Sequence, residues 1–83
     1  MRWKAKLVFA PGSTDESEAE LSVVDGLEEP IARGRLDFAG VAIDIKDGRG
    51  VLKCGDFVRG KHEGAIWLHR RNMLPIPGAL TFE

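Results

Sequence analysis

The sequence has one cysteine in 83 residues, which leaves no partner for an internal disulfide. Nothing covalent staples the fold, and a reducing compartment, the cytoplasm by default, is expected. No apolar run approaches the roughly 18 residues that a membrane span needs, so no membrane partner is expected. The basic opening "MRWKAK" leads only into "LVFA", far short of a signal-peptide core. Histidine is scarce too. His62 and His69 are the only two, and on one strand their separation is roughly 23 Å. With no CxxC, HxH or HExxH spacing, Cys54, His62 and His69 read as a buried or half-buried thiol and two surface imidazoles rather than metal ligands. Ser13, Ser17 and Ser22 lie in an acidic stretch without a nucleophile-elbow context. "DGRG" reads as a hairpin turn, not a phosphate loop. The chain therefore reads as a non-enzyme with no catalytic residue, metal or cofactor.

What is present describes a folded domain. The 43% hydrophobic and 30% charged fractions are ordinary for a globular protein, and residues 1–83 read as one domain. A chain this short buries only about 60–65% of its unfolded surface, so the core is small. The net charge of −1 conceals a partition. Residues 1–12 carry +3 from Arg2, Lys4 and Lys6. Residues 13–47 carry ten acids against three bases, and residues 48–83 return to +3. Basic ends around an acidic middle either neutralise one another in the fold or leave two oppositely charged faces.

The hydrophobic pattern is mostly of period two. "MRWKAKLVF" sets Trp3, Ala5, Leu7 and Phe9 against Arg2, Lys4 and Lys6, the signature of a half-buried strand. After Pro11–Gly12 two readings compete. Ser13 to Glu16 forms a capping box that would open a short helix near residues 14–24. "AELSVVD" alternates instead, and Asp25–Gly26 is a turn signal suited to a hairpin. The alternation favours a strand, preceded by a mobile acidic loop. "PIARGRLDF", "VAIDI", "VLKCGDFVRGK" and "GAIWLHRR" read as further strands, with Asp47–Gly48 at the centre of a turn. The last of them has apolar residues on both faces, which predicts a central strand. "NMLPIPGALTFE" holds two prolines and is expected to wrap the outside. The fold predicted is mainly β, a small five- to six-stranded antiparallel barrel or roll with at most one short helix near residues 14–24.

"GDFVR", an intervening strand and then "LPIP" resemble the local pattern of SH3-like barrels, in which a Gly-Asp turn starts a strand and a Leu-Pro segment closes the barrel. The resemblance implies a small barrel and carries over no functional residue. The pattern of PilZ domains, separated arginines followed by Asp/Asn-x-Ser-x-x-Gly, is not met, because "RGR" and "DFAG" lack the spacing and the serine.

Two binding readings follow. The first is a protein-interaction module, often a homo-oligomer. Unpaired strand edges and a small core make association a way to bury more surface, and an acidic loop with Asp15, Glu16, Glu18 and Glu20 would suit a basic partner. A chain this small also suits an adaptor or inhibitor encoded by a phage or other mobile element. The second is a nucleic-acid-binding barrel with a basic, aromatic face. Its candidates are Trp67, His69 and Arg71 on one side of a strand, with Arg59, Lys61, His62 and Arg70 nearby. The Arg2/Lys4/Lys6 row would extend them. Against it stands a pI near 6.1. A small-molecule-binding or enzymatic subunit is a further alternative.

Overall fold

The alternation at the N-terminus becomes β1 (Trp3–Val8), which buries Trp3, Ala5 and Leu7 and exposes Lys4 and Lys6. A computed structural model describes residues 2–38, 41–55 and 66–82. Period two also decides the ambiguous segment. Residues Glu18–Asp25 form β2, with Ala19, Leu21 and Val23 buried and Glu18, Glu20 and Ser22 outside. The capping box opens no helix. The Ser13 hydroxyl donates to the Ala10 carbonyl at 2.5 Å, and Ser17 Oγ accepts the Thr14 N–H at 2.9 Å, which closes a turn instead. Burying three apolar side chains of β2, at roughly 1.5–3 kcal/mol for each large one, outweighs a cap worth about 1 kcal/mol.

The next strands are β3 (Arg33–Phe38), β4 (Val41–Lys46), β5 (Arg49–Lys53), β6 (Ile66–His69) and β7 (Ile76–Phe82). They form a closed barrel in the order β1-β2-β5-β4-β3-β6-β7. The barrel expected from the sequence is present, with seven strands among the described residues rather than five to six. The additional strand is β7. Its segment does not wrap the outside but closes the barrel, pairing with β6 over residues 76–78 and with β1 over residues 79–82. Pro75 and Pro77 both precede Ala79, where the second ladder begins, so neither proline has to serve two neighbours. The β1–β7 pairing is parallel, while every other pairing is antiparallel. An odd number of strands cannot alternate direction around a closed ring, so one parallel seam is a geometric necessity.

Asp25–Gly26 turns the chain back on itself as a short hairpin, in which Pro30 forms an antiparallel bridge with Val24 and the Asp25 N–H donates to Glu29 O at 2.9 Å. Asp25 Oδ1 accepts the N–H groups of Leu27 and Glu29, at 2.8 and 3.0 Å. The chain then crosses the barrel end, where Ile31 N–H donates to Val23 O at 3.1 Å and Gly48 N–H to Ile31 O at 2.7 Å. Ile31 is buried there. Asp47 and Gly48 take φ of 52° and 75°, both left-handed, as a two-residue hairpin turn of the I′ type requires. A Cβ on Gly48 would stand 2.6 Å from Pro30 Cβ. The turn and the crossing segment are thus locked together.

Of the SH3-like pattern, Gly55 and the Leu74–Pro77 segment are described; residues 56–59 of "GDFVR" lie outside the described residues. No helix among the described residues is long and apolar enough to cross a membrane.

Candidate anion-binding cleft

β6 is a central strand, paired with β3 on one side and β7 on the other. Ile66 and Leu68 point into the core, and Trp67 points out with 41% of its surface exposed. His69, the last residue of β6, shares the outward side with Trp67, and beyond the strand the Arg70 stem lies over Gly34. The chain then reverses in a tight turn, with the Met73 N–H donating to Arg70 O at 3.2 Å and Asn72 at φ 60°.

The partner strand supplies what the linear sequence did not single out. In "RGR", Arg33 and Arg35 face outward from β3, and Arg35 lies directly opposite His69. Gly34 between them allows close approach. A Cβ there would fall 2.9 Å from His69 O, 3.1 Å from Leu68 Cδ1 and 3.4 Å from Arg70 Cγ, so the stem of Arg70 packs where a side chain would otherwise stand. Together Arg33, Arg35, His69, Arg70 and Arg71 line a cleft of about 680 Å³, with Asp47 of the hairpin turn as the one carboxylate in its wall.

Charge in the cleft is only partly balanced. Asp37 Oδ2 is shared between His69 Nε2 at 3.2 Å and Arg35 Nη2 at 3.5 Å. Arg33, Arg70 and Arg71 have no ion-pair partner among the described residues. Arg70 Nε is enclosed and has no hydrogen-bond acceptor. The arrangement can hold an anion by forked, charge-assisted hydrogen bonds.

Arg59, Lys61 and His62 lie outside the described residues. The Arg2/Lys4/Lys6 row does not extend the patch, because β7 separates β1 from β6 and Lys4 is engaged by Glu28 at 2.6 Å. The acidic residues do not form one loop. Asp15 and Glu16 sit in the turn before β2, while Glu18 and Glu20 project from β2 itself. Glu16 pairs with Lys53 at 3.1 Å, and Lys53 also stands opposite Glu18. Cys54 is buried in the core. Ser13 and Ser17 spend their hydroxyls on the turn they belong to. No three His, Cys, Asp or Glu side chains converge among the described residues.

The class defined by these features is a small closed β-barrel with an arginine-lined cleft at one end. Comparison of the chain with protein-family models, with curated proteins and with solved structures finds no match.

Proposed function

We propose that the protein is a non-enzymatic binding module whose β3–β6 face takes single-stranded nucleic acid. One observation carries this reading: a cleft lined by four arginines lies beside an outward tryptophan on the same strand pair. Arginine forks suit phosphate oxygens, and an exposed indole offers a stacking platform worth about 1–3 kcal/mol per base. Trp67 and His69 are two residues apart, roughly 7 Å along the strand, so one nucleotide can reach both.

The net charge of −1 does not oppose this, because local charge governs. Asp15 and Glu16 of the turn before β2, and Glu18 opposite Lys53, lie at the far end of β5, about 17 Å from Asp47–Gly48 along the strand. The screening length is about 8 Å at physiological ionic strength. At that distance the acids scarcely weaken the field at the cleft.

Association through a protein partner or a second copy rested on unpaired edges, and β4 and β5 pair only at Lys46 and Arg49, which leaves the rest of that seam open among the described residues. That open seam keeps association as the second reading. The cytoplasm is the compartment this proposal assigns, in keeping with the lone buried thiol of Cys54.

The test is an oligonucleotide titration at several salt concentrations, following tryptophan emission. Binding is expected, with a log–log salt slope that flattens by about 1.4 when Arg33 and Arg71 are both changed to serine, two contacts at about 0.7 each. Absence of binding at low salt would refute the reading.

A further inference from the structure

Resting on that reading, we infer that the single strand leaves the cleft across the barrel, its phosphates carried over β3, β4 and β5 by Arg33, Lys46 and Arg49. The track runs at right angles to the β-strands, not along β6.

Cross-strand pairing sets the three bases in one row. Arg33 of β3 stands opposite Lys46 of β4, and Lys46 stands opposite Arg49 of β5. All three are exposed. Adjacent strands lie about 4.8 Å apart, so the row covers roughly 10 Å. Phosphates along one strand of a stacked helix are about 3.4 Å apart, which gives the row room for about three. Arg33 also lines the cleft with Arg70 and Arg71, and so joins the row to it.

The neighbouring rows offer no such path. His69 and Arg35 lead to Asp44, and Trp67 leads to Asp37 and Ala42. A backbone following either of them meets a carboxylate within two strands. On the Arg33 row the next residue after Arg49 is the uncharged Ser22.

Like charges directly opposite one another in a ladder are destabilising, and this row holds two such pairs in succession. Arg33, Lys46 and Arg49 have no ion-pair partner among the described residues. Asp47 lies in the turn between Lys46 and Arg49 and pairs with neither. The free protein thus keeps a row of repulsions that a polyanion laid along it removes. Stability given up at a binding surface in this way is a common trade.

The experiment titrates an oligonucleotide of about ten nucleotides, long enough to reach from Trp67 to Arg49, at several salt concentrations. It compares the unmodified protein, Lys46→Thr/Arg49→Thr and the control Lys4→Thr/Lys53→Thr, which removes the same charge away from the row. Threonine suits a strand, so neither change works against the fold. The row variant is expected to flatten the log–log salt slope by about 1.4, two contacts at about 0.7 each, and to bind about 25-fold more weakly at 0.1 M salt, for slopes that converge at 1 M. Its Tm is expected to equal or exceed that of the unmodified protein, because the repulsion is gone. The control is expected to keep the slope of the unmodified protein. Binding that the row variant leaves unchanged would overturn the track and leave nucleic-acid binding by the cleft standing. An equal loss in the control would do the same, since total charge and not the row would then set the affinity. A Tm lower by several degrees in the row variant would also overturn the inference, because the row would then serve the fold. Absence of binding by the unmodified protein at low salt would remove the nucleic-acid reading itself, and the track with it.

Discussion

Gly78 of β7 lies against the indole of Trp3 so closely that a Cβ at that position would overlap the ring. The same indole donates its Nε1–H to the Ile76 carbonyl at 3.0 Å. One tryptophan thus fastens the first strand to the last, filling the space over a glycine and satisfying a backbone acceptor near the start of β7. The parallel seam that closes the barrel begins one residue later, at Lys4 and Ala79.

Gly78→Ala should therefore open that seam. Overpacking of this kind costs typically about 1–3 kcal/mol, and for a domain of this size about 1 kcal/mol lowers Tm by roughly 4–8 °C. A thermal melt monitored by circular dichroism should show at least a 4 °C loss. An unchanged Tm would mean that Trp3 does not occupy this space in solution.

The two faces of β1 should respond oppositely to substitution. Leu7 is fully buried, so Leu7→Asp removes a core side chain worth roughly 1.5–3 kcal/mol and strands a charge beside it. A domain of this size has only about 4–12 kcal/mol of stability in total, and the variant should be unfolded or nearly so at 37 °C. Lys4→Ser loses one exposed ion pair to Glu28, worth at most about 1 kcal/mol. Equal tolerance in a denaturant titration would contradict the burial pattern of β1.

Deleting Thr14–Ser17 should destabilise the barrel, although the sequence of that stretch reads as a free acidic loop. The turn is tied down: Cys54 N–H donates to Ser17 O and Gly55 N–H to Asp15 O, both at 2.9 Å. Losing two such bonds at about 0.5–1.5 kcal/mol each predicts a fall in Tm of several degrees or more. A melting curve superimposable on that of the intact chain would show that the turn is not held.

Trp67 and Trp3 separate binding from folding. Trp67→Ala should change Tm little, because the side chain projects from the barrel. It should weaken oligonucleotide affinity by about 1–3 kcal/mol if one base stacks there. Trp3→Ala should do the reverse in kind, collapsing stability by roughly 3–5 kcal/mol. Calorimetric Kd values beside thermal melts would expose any departure from this division, and unaltered affinity in Trp67→Ala would remove the stacking platform from the proposal.

Much of the barrel was legible in the chain. The inward sets Trp3, Leu7; Leu21, Val23; and Ile43, Ile45 follow from alternation alone, because a pleated strand sends successive side chains to opposite faces whatever it pairs with. The Asp47–Gly48 turn was legible for the same local reason, since glycine adopts positive φ without steric cost. The outward flank of β6 with Trp67 and His69 could be written down too, though not its use, and not that the strand ends before Arg71.

Pairing was decided by the tertiary structure. Nothing local to "RGR" says that β3 lies beside β6, yet only that neighbour relation brings Arg33 and Arg35 to Arg70 and Arg71 and makes Gly34 the floor for an arginine stem. The prolines of "LPIPG" marked the last segment as an outer wrap. Seven strands had a ring to close, and Gly78 left room for the indole that closes it. Alternation fixes which way each side chain faces along its own strand. Which strand lies next to it depends on contacts between residues far apart in the chain, and those arise only when the whole core is buried at once.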